Sequence, residues 1–122
     1  MHELSIAMSV TDGALEELSR HPGESAVAVH LQLGRLSGVV KEALLFSYQL
    51  ACEGTALEGS QLVIKDIDVA VFCPRCNAGC EVASIQELKC SVCGTRSAEI
   101  VRGREILIVG LELENAYEAE AR

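Results

Sequence analysis

Six cysteines occur in 122 residues, and four of them stand in two Cys-x-x-Cys pairs, Cys73-Pro74-Arg75-Cys76 and Cys90-Ser91-Val92-Cys93, separated by 13 residues. Each such pair makes a tight turn that aims two sulfurs at one point, and doubled at this distance the pairs have the spacing of a four-thiolate zinc site. The surrounding segment offers few large apolar side chains, chiefly Val71, Phe72, Val82, Ile85, Leu88, Val92 and Ile100. That is too few for a core of its own. A structural zinc ion, worth about 10 to 16 kcal/mol in small zinc-finger peptides, would supply the missing cohesion. Four thiolates on one Zn(II) leave a charge of about −2, which Arg75, Lys89 and Arg96 lie near enough in sequence to offset in part. A redox dithiol or a pair of disulfides are the competing readings. A thioredoxin-type motif opens a helix, whereas Cys93-Gly94-Thr95 reads as a turn, and one redox motif does not need a second pair. Of the other two cysteines, Cys80 lies four residues past Cys76 on the expected first ribbon strand, where it could compete for the metal or stay a free thiol, and the free thiol is the expectation. Cys52 ends an apolar helical run and reads as a small core side chain.

A second set of donors stands at Met1-His2-Glu3-Leu4-Ser5. With the initiator methionine retained, the Met1 amine, the His2 amide nitrogen and the His2 imidazole close two fused chelate rings on one metal. Such a set suits square-planar Ni(II) or Cu(II), with Glu3 able to complete it through its amide or carboxylate. A frayed terminus carrying a solvated histidine is the plainer alternative on spacing alone. His21, before Pro22 at a helix end, is expected to meet the final helical carbonyls. His30 stands on the more polar side of a strand, and neither it nor His21 has a spaced partner that would make it a ligand.

These residues need elements to hold them. Leu4, Met8, Thr11, Leu15 and Leu18 recur at helical spacing, predicting a helix over 4–19 that His21-Pro22-Gly23 ends. Residues 25–33 alternate, with Val27, Val29, Leu31 and Leu33 on one side, predicting a strand. Gly34 to Gly38 turn the chain, and Ser37 is the expected cap of a second helix over 39–51 with Val40, Ala43, Leu44, Phe46 and Leu50 in its stripe. A strand is expected over 61–72, with Val63, Ile67, Val69 and Val71 in one parity, running straight into Cys73. After the cysteine segment, Arg102-Gly103-Arg104 turns the chain into a last strand over 105–113, in which Leu107, Val109, Leu111 and Leu113 alternate. The expected fold is α+β, a small mixed three-stranded sheet with two helices on one face and an inserted four-cysteine zinc ribbon. The domain boundaries that follow are 1–70 plus 104–113 for an α/β domain, 71–103 for the ribbon, and 114–122 for a frayed or weakly helical tail.

Composition narrows the function. A net charge of −8 and only 3% aromatic residues argue against a nucleic-acid surface, which needs clustered Lys and Arg and rings to stack on bases. No apolar run approaches the length of a membrane span, and Glu3 stands where a signal peptide wants positive charge. The expected location is the cytoplasm, a reducing compartment in which thiols remain available to zinc. No Ser/His/Asp or Cys/His arrangement, phosphate loop or open three-ligand zinc site marks an enzyme.

Several local sequences, taken together, resemble the HypA/HybF family of hydrogenase nickel-incorporation proteins. They are Met1-His2-Glu3-Leu4-Ser5, Leu33-Gly34-Arg35-Leu36-Ser37, Glu42-Ala43-Leu44-Leu45-Phe46-Ser47-Tyr48, Cys52-Glu53-Gly54-Thr55 and the paired cysteines. The likeness spans Met1 to about Leu113. It implies a nickel metallochaperone that works with the GTPase HypB and delivers Ni(II) to the hydrogenase large subunit. It implies His2 as the principal nickel ligand, with Glu3 and the Met1 amine beside it, in the 1–70 plus 104–113 domain. Cys73, Cys76, Cys90 and Cys93 would then bind structural Zn(II). Whether the chain forms a homodimer stays open. Lys41 stands where a proline commonly opens the second helix, and the ribbon holds no histidine that could reach toward nickel. The alternative is a zinc-ribbon adaptor that binds only protein and has an inert N-terminus.

Overall fold

The structure, a computed structural model, describes residues 2–115, without the side chain of Ala83. The elements are α1 (His2–Leu18), β1 (Glu24–Gly34), α2 (Lys41–Cys52), β2 (Gln61–Ile67), β3 (Ala70–Cys73), β4 (Ala78–Ser84), β5 (Glu87–Cys90), β6 (Ile100–Arg102) and β7 (Ile106–Asn115). They make a three-stranded sheet in the order β2-β1-β7 and a four-stranded sheet in the order β5-β4-β3-β6. This is the α+β fold with two helices and an inserted cysteine-bearing ribbon expected above. The chain clusters into two compact units: one contains residues up to Leu31, Val39–Ile64 and the chain from Ile108 on, the other Gln32–Gly38 and Lys65–Leu107. Of the expected tail, 116–122 lies outside the described residues, and β7 runs through Glu114 and Asn115.

In the first unit the core joins Ala7, Val10, Ala14 and Leu18 of α1 to Leu44, Tyr48 and Cys52 of α2, and both to Val29, Leu31, Leu57 and Leu62. The spacing in α2, every fourth residue, is one narrow helical face. Phe46 and Leu50, expected in that stripe, are instead 64% and 47% exposed. Tyr48 takes their place because its hydroxyl has a partner, Ser60 Oγ at 2.7 Å. Burial pushes the Tyr48 phenol up to about 12.

The start of α2 corrects a second expectation. Val40 occupies the N-cap position and no side chain of the flanking turn caps it. The Val40 N–H donates to Glu3 Oε2 at 3.3 Å, so a carboxylate from the first turn of α1 ties down the residue that opens α2. An acidic group there also meets the positive end of the α2 dipole. Glu3 is accordingly buried, and the Val40 N–H is the main cause holding its carboxyl below the ordinary value of 4.5.

Two strands depart from simple alternation. The stretch expected as one strand over 61–72 is broken at Asp68 and Val69, and the inward parity changes across the break. Leu62 is buried and Val63 is 38% exposed in β2, while Val69 and Val71 are buried in the second unit. Asp68 accounts for the break: its carboxylate accepts from Arg35 Nε at 2.5 Å and its carbonyl from Arg102 Nε at 3.3 Å. In β7 the expected phase also fails, since Leu107 and Val109 are each 52% exposed. Ile108, Leu111 and Leu113 pack on the core instead, so the inward phase switches across Gly110. Likewise Val27, expected inward in β1, is 43% exposed, whereas Val29, Leu31 and Leu33 are buried as expected.

Within the second unit, Gly34 and Gly103 explain why the turn sequences read as they do. The Gly34 N–H donates to Glu105 O and the Leu36 N–H to Gly103 O, both at 2.7 Å. The two backbones therefore touch, and a Cβ on Gly34 would lie 2.1 Å from Gly103 O. Gly34→Ala is expected to cost about 3 kcal/mol, the upper end of overpacking penalties. Gly110→Ala, which meets nothing within 4 Å, should be near neutral, and chemical denaturation compares the two. Because the carboxyl of Glu3 is depressed on folding, its contribution is fully present above pH 4.5 and lost as pH falls through the folded value. Thermal midpoints should show Glu3→Gln less stable than the parent at pH 7 and the gap closing toward pH 3.

Candidate metal centres

The ribbon brings the two cysteine pairs together through its strand register. Cys73 closes β3 opposite Ala78 of β4, and Cys90 closes β5 opposite Val82 of β4. The loops that follow need a left-handed residue just past each pair, and they have one: Asn77 with φ 52° and Gly94 with φ 77°. Asparagine and glycine are the residue types that accept this conformation at least cost. The result is two similar bends, each with a backbone N–H turned to a sulfur: Cys76 N–H to Cys73 Sγ and Val92 N–H to Cys90 Sγ, both 3.4 Å.

One sulfur from each of Cys73, Cys76, Cys90 and Cys93 lies within 4.8 Å of all the others. Separations of 3.5 Å (Cys73–Cys93), 3.6 Å (Cys76–Cys93) and 3.9 Å (Cys76–Cys90) are far beyond a covalent S–S bond of about 2.05 Å. They bracket the edge of about 3.8 Å that a tetrahedron with Zn–S bonds of about 2.3 Å must have. The donor set and its geometry therefore fit a tetrahedral, thiophilic ion.

Electrostatics agree with the geometry. Thiols this close cannot all ionise without a cation, and their titration splits. The Thr95 hydroxyl, 3.2 Å from Cys93 Sγ, is the main influence drawing the Cys93 thiol down to about 6, and the Cys93 backbone N–H lowers Cys90. Cys76 is pushed up, first by Cys93 and then by Cys73 and Cys90. A divalent ion removes the conflict by stabilising four thiolates at once. Thr95 was not singled out in the sequence; its place two residues past Cys93 is the only signal that could have marked it. Lys89, expected to offset the thiolate charge, pairs with Glu87 at 3.2 Å.

The other candidate centre is an exposed one, at the start of α1. His2 is the first residue of α1, with its side chain 59% exposed and Nε2 3.4 Å from Glu3 Oε2. The Met1 amine lies outside the described residues. Glu3, engaged by Val40, turns its carboxylate inward, while the first amides of α1 have no acceptor within the helix. The remaining histidines are held by carboxylates. His21 lies between Glu17 (3.4 Å) and Glu24 (3.2 Å), which corrects the expected contact of its ring with helical carbonyls, and His30 Nε2 is 2.5 Å from Glu112. Cys52 is buried in the core, as expected, and burial raises its thiol. Among the described residues no helix is long and apolar enough to cross a membrane.

Comparison with known proteins identifies the family. The sequence profile of a family described as "Hydrogenase/urease nickel incorporation, metallochaperone, hypA" matches residues 1–113. The hydrogenase maturation factor HypA of Chloroflexus aurantiacus (strain J-10-fl) is 42% identical over 112 residues, covering 92% of this chain and 98% of that protein. HypA of Roseiflexus sp. (strain RS-1) is 40% identical, covering 94% of each. In fold, the chain is similar to a solution structure of HypA protein, with a TM-score of 0.72 at 21% identity over 94% of this chain and 98% of that one. It is also similar to that of the Ni metallochaperone HypA from Helicobacter pylori, with a TM-score of 0.67 at 20% identity over 90% and 95%. A non-enzymatic character follows from the family's description, and on this match along nearly its whole length the chain belongs to the HypA family of nickel-incorporation metallochaperones.

Proposed function

We propose that this protein binds Ni(II) at its amino end through His2, with the Met1 amine and Glu3 beside it. It then passes the ion to the large subunit of a nickel-iron hydrogenase in the cytoplasm, working with the GTPase HypB. Cys73, Cys76, Cys90 and Cys93 hold structural Zn(II) in this reading. The observation that supports it most is the contrast between the two donor sets, four clustered sulfurs in the ribbon and one exposed imidazole at the open end of α1.

The position of His2 has a chemical consequence. A dication at a helix N-terminus faces the positive end of the dipole, so neutral amides there repel it. Binding becomes favourable when amide nitrogen is deprotonated and donates with the imidazole, the nitrogen-rich planar set that Ni(II) favours. Since the Glu3 carboxylate already accepts from Val40, Glu3 contributes more readily through its own amide. A site built this way holds its ion through groups that protons reclaim, which lets the cargo leave when a partner offers better donors.

Titration calorimetry with Ni(II) is expected to show binding that weakens steadily from pH 7.5 to 5.5, because protons compete with the metal for nitrogen donors. A level profile would contradict the assignment. His2→Ala should abolish specific nickel binding with zinc content and fold unchanged, and loss of zinc in that variant would mean that the two sites are one. Stripping zinc with a chelator should collapse amide dispersion for β3, β4, β5 and β6 while the resonances of α1 and α2 and nickel binding persist.

A further inference from the structure

Cys80 has no place in either centre, yet the ribbon's register sets it beside the sulfur cluster. Val71 lies opposite Cys80 and Cys73 opposite Ala78 in the β3–β4 pair, and Val82 lies opposite Cys90 in the β4–β5 pair. Paired residues share a face of a sheet, and so do residues two apart on a strand. Cys73, Cys80 and Cys90 therefore project from one face of the four-stranded sheet. The β4–β5 ladder continues past Cys90, since the Ser91 N–H donates to Glu81 O at 3.1 Å, which keeps the Cys80 end of β4 alongside the second cysteine pair. Cys80 is half-buried, and its Sγ donates to Ala78 O at 3.7 Å on its own strand. It stands outside the four that lie mutually within 4.8 Å, and of those four Cys76 is the exposed one, on the loop between β3 and β4.

We propose that Cys80 is a reserve ligand of the zinc site, taking the coordination position of Cys76 whenever that loop sulfur leaves the metal. The proposal rests on the four-cysteine zinc reading above. In the exchange the Zn–S bond to Cys76 breaks, the Zn–S bond to Cys80 forms, and the Cys80 thiol proton passes to the departing Cys76 thiolate. Nothing is oxidised or reduced, and the ion keeps four sulfurs throughout. The ribbon thus tolerates temporary loss, alkylation or oxidation of its most accessible ligand without releasing the ion that closes its fold.

Zinc content and sulfur coordination number by X-ray absorption test this on the full chain. The parent and Cys80→Ser should each hold one zinc with four sulfurs. Cys76→Ser should also keep four, and Cys76→Ser/Cys80→Ser should fall to three sulfurs with an oxygen or nitrogen donor. Three sulfurs in Cys76→Ser alone would overturn the proposal. Should Cys76→Ser fail to fold, Cys80→Ser, which retains all four primary ligands, decides the matter: a chelating dye should remove its zinc at least tenfold faster than from the parent, and equal rates would overturn the reserve role. A parent protein that holds no zinc would instead overturn the four-cysteine reading itself.

Discussion

Four sulfurs gathered within 4.8 Å impose the strongest constraint in this protein, because without a cation they repel as thiolates and with one they attract. Everything around them is arranged to keep that distance. The strand register aims Cys73 and Cys90 to one side, left-handed residues bend the loops at Asn77 and Gly94, and backbone N–H groups and the Thr95 hydroxyl favour the ionised form. With so few large apolar side chains, the ribbon would draw much of its cohesion from an ion held there.

The first unit solves a different problem, that of placing an exposed donor beside a well-packed core. Glu3 is the hinge of that solution, since the residue next to the exposed His2 is itself buried and tied to the start of α2. One residue points out and its neighbour points in, so the amino end is anchored within a single turn of the open imidazole. The core of this unit thus fixes the helix turn on which the exposed His2 stands.

Much of this was legible in the residues. The cysteine spacing set out the ribbon, and the helix α1 and the buried Val29, Leu31 and Leu33 of β1 followed from periodicity; the stripe expected in α1 did not, since Leu4 and Met8 are 40% and 54% exposed while Ala7, Val10 and Ala14 are buried with Thr11 and Leu18. What escaped periodicity were features decided by contacts distant in sequence. Asp68 breaks the long strand because Arg35 and Arg102 converge on it, and no local pattern announces either arginine. Tyr48 lies on the buried face where Phe46 and Leu50 were expected, and its hydroxyl is satisfied there by Ser60, a partner no local pattern announces. Ser37 looked like a cap by type, whereas the N-cap position falls to Val40, whose N–H is held by a carboxylate from the first turn of another helix. The metal donors themselves were named from sequence, but the sulfur separations and the inward turn of the Glu3 carboxylate required coordinates.

The bends at Asn77 and Gly94 have one more effect. Each is fixed by the torsional preference of a single residue, so the folded ribbon presents its sulfurs at four corners and not in a plane. A host of that shape suits an ion indifferent to geometry and disfavours one that demands a planar arrangement. Two backbone angles thereby bear on which metals the four sulfurs can accept.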